Sequence, residues 1–272
     1  MATGTGKTYT GLAAAVEAYE ELNKLAIIIV CPYQHLVEQW VEDIENFNMS
    51  PIVGYSASSQ KNWKKSLKDA VIDYNLGVID NFTLVTTNAT YATDYVQNQI
   101  NKLESNILII VDEAHNFGAT HLSSKLNEKI SYRLALSATI ERYRDPEGTN
   151  KLFDYFDKEC INYSLGKAIS ENKFTPYYYQ PILINLTSYE LEKYNQLTRK
   201  MMKHLTTTKS GKTRLSEVGK RIAIKRARLV AAAEKKLVKL KEKMQDYKYE
   251  NHILVYCGAT TISDIDYIEG IP

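Results

Sequence analysis

Cysteine is scarce, with three residues among 272, and their placement excludes two kinds of architecture. Cys31, Cys160 and Cys257 lie far apart and cannot all pair, so the fold does not rest on a disulfide framework. No short-range zinc spacing joins them, and His35, His115, His121 and His204 have no compact ligand spacing either. Long apolar runs are missing: none reaches bilayer-spanning length, and no signal-peptide pattern precedes them. The expected setting is therefore reducing and cytoplasmic, with no membrane partner. A 44% hydrophobic fraction supports a true core, while 24% charged residues at this length fit one large or two ordinary domains.

The net charge of +2 conceals an asymmetry. Between Arg199 and Lys243 there are sixteen Lys or Arg residues against three Glu, a local charge of +13 that leaves the remainder at −11. Such a segment suits an anionic partner, although a solvated lysine-rich helix would look the same by composition.

Strand and helix patterns alternate through the first half. Apolar runs at 26–30 and 106–111 predict buried strands, with further strands at 82–86 and 132–136 and a short one at 52–55. Helical spacing recurs at 9–21, 34–47, 61–72 and 91–102. This order predicts a mostly parallel sheet covered by helices, over roughly residues 1–162. Beyond it, 181–186 resembles a strand, 188–205 a helix, 206–215 a polar loop and 217–247 one long basic helix. Residues 253–257 resemble the first strand of a second α/β unit.

Two motifs carry chemistry. In Gly4-Thr5-Gly6-Lys7-Thr8, glycines permit a tight turn whose N–H groups face phosphate oxygens, and the following helix adds its dipole. Lys7 can meet the β and γ phosphates and Thr8 can offer oxygen to Mg²⁺. The first glycine of the usual loop pattern would fall at Met1, so the literal pattern is incomplete. The second motif, Asp112-Glu113-Ala114-His115, directly follows the clearest apolar strand. Asp112 is a hard oxygen ligand suited to Mg²⁺, Glu113 can polarise a water, and His115 can couple the site to Ser137-Ala138-Thr139. The acidic motif falls at the carboxyl end of a predicted strand, where parallel sheets bind ligands. A second Gly-Lys-Thr at 211–213 lacks a preceding strand and reads as a flexible or nucleic-acid-facing loop, nominating Lys212 and Arg214.

This order of motifs resembles superfamily 2 helicases, especially the DEAH-type branch that contains type III restriction-enzyme helicase subunits and related DNA-repair translocases. Residues 2–8 match that family's first motif, 112–115 its second and 137–139 its third. Residues 31–40 resemble a segment that contacts a nucleic-acid strand, nominating Gln34, His35 and Gln39, and Thr86-Thr87 occupies the place of another such contact. The resemblance implies a RecA-like parallel sheet with helices on both faces over 1–162, followed by a linker at 163–187, a basic helical insertion at 188–249 and the start of a second RecA-like domain at 250–272. It implies ATP and Mg²⁺ as cofactors, held by Thr3, Gly4, Thr5, Gly6, Lys7 and Thr8 with Asp112, and Lys7, Asp112 and Glu113 as the chemical site. His115, Ser137 and Thr139 would couple it to domain movement. The implied activity is an ATP-dependent DNA helicase or double-stranded DNA translocase, with restriction or defence subunits as partners; an RNA helicase and a nonenzymatic nucleotide-responsive scaffold are the alternatives. Family members carry a strand immediately before the phosphate loop and arginines late in a second domain, so the sequence reads as a fragment of a longer protein.

Overall fold

The computed structural model describes residues 4–207 and 213–256. The chain divides into two compact units, Met1–Tyr177 and Tyr178–Pro272.

In the first unit the phosphate loop leads into α1 (Lys7–Leu22), followed by β1 (Leu25–Cys31), α2 (Gln34–Glu45), β2 (Ile52–Gly54), α3 (Trp63–Asn75) and β3 (Asn81–Thr87). The predicted helix over 91–102 is two pieces, α4 (Asn88–Tyr91) and α5 (Asp94–Lys102). Each starts on a threonine cap, with Thr87 accepting from the Thr90 amide and Thr93 from the Val96 amide, so a new N-terminus interrupts the run. Then come β4 (Ile107–Asp112), a 3-10 turn (Ala114–Gly118), α6 (Thr120–Ser123), β5 (Tyr132–Leu136), α7 (Pro146–Phe156) and α8 (Leu165–Ser170).

The five strands form one parallel sheet in the order β2-β3-β1-β4-β5. Every residue of β1 and β4 is buried, as uninterrupted apolar runs require when both sheet faces are covered. Alternate side chains feed two cores. Ala26, Ile28 and Val30 join Ile107, Ile109 and Val111 beneath residues of α3, α5 and α7, while Ile27, Ile29 and Ile110 meet α1 and α2 on the other face. β1 lies between β3 and β4, so the connection from β3 to β4 passes over it and the chain changes side there. The carboxyl ends of β1, β3, β4 and β5 thus share one rim, a setting that suits ligand binding in open parallel sheets. This is the α/β architecture expected of a RecA-like domain.

The second unit departs more from expectation. Residues 181–186 pair with no strand among the described residues. α9 (Ser188–Met202) opens on a capping box: Thr187 accepts from the Glu190 amide, and Glu190 accepts from the Thr187 amide. The segment read as a polar loop holds an antiparallel hairpin, β6 (Leu205–Thr207) and β7 (Thr213–Leu215), whose threonines suit strands. The expected long basic helix is two helices, α10 (Glu217–Ala231) and α11 (Glu234–Asp246). Glu190 explains the break. Its Oε1 accepts from the Glu234 amide at 2.9 Å, so a side chain from α9 caps α11 where Ala233 cannot. Residues 253–256 belong to neither sheet, and Cys257 lies outside the described residues, as does Thr208–Lys212 with its second Gly-Lys pair. No helix among the described residues is long and apolar enough to cross a membrane.

Candidate active site

The phosphate loop turns through left-handed backbone. Gly4 has φ 78° and Gly6 has φ 84°, a region where a side chain is strained, and a Cβ at Gly6 would meet nothing within 4 Å. Open space therefore borders the loop at Gly6, whereas Gly4 lies under the ring edge of Phe174. α1 begins at Lys7 with no side-chain cap and no acidic residue in its first turn. Its first amides and dipole are left for an anion. Thr5 and Thr8 are half-buried beside this turn, and Thr3 lies outside the described residues.

Across the rim, β4 delivers Asp112 in a largely buried position. Both its carboxylate oxygens are already oriented: Oδ1 accepts from the Glu113 amide at 2.9 Å, and Oδ2 accepts from the Trp40 indole N–H at 3.0 Å. Trp40 is itself buried on α2, so the Asp112 carboxylate is held from a second element, with its remaining lone pairs available to a cation or its water. The sequence pattern puts Trp40 on the helix over 34–47 and assigns it no role at Asp112. Its N–H was the available signal, because a buried indole needs an acceptor.

Glu113 stands at φ 47°, ψ 50°, a left-handed conformation uncommon outside glycine and characteristic of functional turns. The turn is fixed by Asn116, whose amide and side chain both donate to the Glu113 carbonyl. Thus directed, Glu113 Oε1 lies 3.5 Å from Lys7 Nζ, and its Oε2 lies 3.4 Å from His115 Nδ1. His115 Nδ1 is also 3.2 Å from Ser137 Oγ. Ser137 gives its single hydroxyl hydrogen to the Thr139 carbonyl at 2.7 Å, so its contact with His115 needs a proton on Nδ1. Lys7, Glu113, His115, Ser137 and the Thr139 backbone therefore form one connected line across the rim, from α1 through the β4 turn to the end of β5. The Thr139 side chain is exposed.

The expected nucleic-acid residues divide differently. Gln34, His35 and Gln39 are exposed on α2, and Arg214 is exposed on β7. Thr86 and Thr87 are buried, with the Thr86 hydroxyl donating to the Gly54 carbonyl and that of Thr87 capping α4, so those hydroxyls face the protein. Lys212 lies outside the described residues.

These features fit a Mg²⁺-bound polyphosphate. The loop offers open space beside Gly6, uncapped helix amides and one ammonium, and Asp112 offers an oriented carboxylate. No group of three His, Cys, Asp or Glu among the described residues could hold a metal alone, so a cation here would need ligands from phosphate and water, as Mg²⁺ commonly takes them.

The fold and this rim define a domain of the RecA-like helicase class. Residues 1–142 match the family described as type III restriction enzyme, res subunit, and the chain belongs to that family. No curated protein matches it. Among solved structures, it is similar to a nuclease-deletion mutant of the Type ISP restriction-modification enzyme LlaGI in complex with a DNA substrate mimic, at 17% identity and a TM-score of 0.48 over 75% of this chain and 20% of that one. It is also similar to the Pyrococcus furiosus Hef helicase domain, at 18% identity and a TM-score of 0.47 over 75% of this chain and 42% of that one. The chain thus spans less than half of either protein chain, and the family assignment rests on the match over residues 1–142.

Proposed function

We propose that the chain is the nucleotide-binding part of an ATP-dependent DNA helicase or double-stranded DNA translocase that serves restriction or phage defence in the cytoplasm. The observation that carries this reading is the contact line Lys7–Glu113–His115–Ser137, in which a phosphate-loop cation, an acidic turn and the third motif already meet. When bound, Mg²⁺-ATP supplies the reactive phosphate anhydride and the cation. Lys7, the loop amides of 4–8 and Thr8, with Thr3, hold the phosphates. Asp112, steadied by Trp40, would hold the cation. With the Lys7 ammonium engaged by phosphate, Glu113 would lose that contact and be free to polarise a water. His115 touches both Glu113 and Ser137, so a change at one carboxylate is felt at the end of β5, where Ser137 and Thr139 can pass it to a neighbouring domain.

In this reading residues 1–162 form the nucleotide-binding domain, 163–187 a linker, 188–249 a basic insertion and 250–272 the opening of a second RecA-like domain. Gln34, His35 and Gln39 on α2, Thr86 and Thr87, and Lys212 and Arg214 form the DNA contacts. The charge of residues 199–243 strengthens the preference for a phosphodiester partner. The test has two parts. Filter binding of this chain to DNA should fall steeply between low and high salt, and equal, negligible retention at both salts would sink the contact. ATP hydrolysis by the full-length protein should rise with single-stranded or duplex DNA; stimulation by RNA alone would replace DNA with RNA.

A further inference from the structure

A second cluster, outside every motif, secures the acidic turn. Arg142 follows the third motif by three residues, and its Nη1 donates to the His115 carbonyl. Its Nε donates to Asp145 Oδ2 at 2.8 Å, and its backbone N–H donates to Thr149 Oγ1 at 3.0 Å. Asp145 also caps α7, accepting from the Gly148 amide at 2.9 Å. The guanidinium of Arg142 beside it holds the Asp145 carboxyl below its usual range.

Two glycines make this seating possible. A Cβ at Gly118 would lie 2.2 Å from Arg142 Cδ and 2.8 Å from the Gly148 carbonyl. A Cβ at Gly148 would lie 2.7 Å from the Gly118 carbonyl and 2.9 Å from Arg142 Nε. The turn and the start of α7 therefore touch through backbone, with the arginine stem threaded against them. The planar guanidinium suits this bridge because it donates to a carbonyl and a carboxylate at fixed angles, which an ammonium cannot reproduce.

The clamped carbonyl belongs to His115, two residues after the left-handed Glu113. Such a conformation persists only where its surroundings over-determine it. Asn116 restrains the turn from within, whereas Arg142 restrains it from the next segment of the chain. We infer that Arg142 is a positioning residue: by clamping the His115 carbonyl to the α7 cap it keeps Glu113 aimed at Lys7 and His115 at Ser137, and so ties the geometry of the acidic turn to the segment after the third motif. The catalytic half of this inference rests on the ATPase reading above; the clamp itself does not.

The test separates the two. Hydrogen exchange on the 272-residue chain should show the amides of 114–118 exchanging at least about tenfold faster in Arg142→Ala, with β1 and β4 as protected as in the wild type and Arg142→Lys intermediate. In the full-length protein, kcat for ATP should fall about 10–100-fold with KM changed less than threefold, and Arg142→Lys should recover part of the loss. Exchange at 114–118 within twofold of wild type overturns the clamp, and faster exchange spread through β1 and β4 assigns Arg142 a merely structural role and overturns positioning. A loosened turn with kcat within twofold overturns the catalytic link alone. A wild-type protein without turnover overturns the ATPase reading and that link, while the exchange result still decides the clamp. Should Arg142→Ala fail to fold, Arg142→Lys decides by the same criteria.

Discussion

Replacing Trp40 with Phe isolates the restraint on Asp112. The substitution keeps an aromatic ring on α2 but removes the indole N–H that donates to Asp112 Oδ2 at 3.0 Å. A hydrogen bond to a charged group contributes about 1.5–3 kcal/mol, and this one is buried. Trp40 also fills space tightly: a Cβ at Gly11 would lie 3.1 Å from the indole's outer edge, so the smaller ring leaves a void against α1. Losing roughly 40 Å³ of side chain at about 24 cal/mol per Å³ adds about 1 kcal/mol. The expected total is about 2.5–4 kcal/mol, read from guanidinium denaturation followed by circular dichroism. A double-mutant cycle with Asp112→Asn should return a coupling of at least about 1 kcal/mol, which separates the bond from the void. In the full-length protein the Mg²⁺ requirement for ATP hydrolysis should rise about 10–100-fold, as for other residues that orient a metal ligand. A Trp40→Phe protein within about 0.5 kcal/mol of wild type, with no coupling and an unchanged Mg²⁺ requirement, would refute the reasoning.

Three further outcomes follow. Glu190→Ala should cost about 1–2 kcal/mol, because it removes one half of the capping box and the cap on α11. Burial raises the Glu190 carboxyl, but donation from the Glu234 and Thr187 amides and the Thr187 hydroxyl outweighs it, so its folded pKa is lowered. A lowered carboxyl stabilises the fold above its unfolded pKa and loses that contribution as pH falls through the folded value, so the gap between Glu190→Ala and wild type should be full at neutral pH and shrink in acid. Burial, helped by the nearby Asp112 charge, pushes the Cys31 thiol well up, so alkylation followed by peptide mapping should mark exposed Cys160 and spare Cys31 until the protein unfolds. Gly6→Val, forced into φ 84°, should abolish nucleotide binding by this chain in a fluorescent-nucleotide titration while leaving the β1 and β4 core folded.

The sheet was legible because fully buried strands leave unbroken apolar runs, as at Ile27–Val30 and Ile107–Val111, and the acidic and phosphate-loop motifs are local in sequence. Long-range restraints were not. Nothing near Trp40 in sequence announces a partner 72 residues away, and Arg142 lies outside the motif it braces. The break between α10 and α11 falls at Ala232 and Ala233, residues with no helix-breaking tendency, because its cause is Glu190 on another helix. Thr86 and Thr87 matched an expected contact by position, yet β-strand pairing and the α4 cap decide where their hydroxyls point.

The central claim is that Glu113, poised between Lys7 and His115, activates the water that hydrolyses ATP. Its most direct test is DNA-stimulated ATP hydrolysis by the full-length protein, comparing wild type with Glu113→Gln under saturating Mg²⁺-ATP. The account predicts that the variant still binds nucleotide but turns over at least about 100-fold more slowly. Undiminished hydrolysis by Glu113→Gln would contradict it.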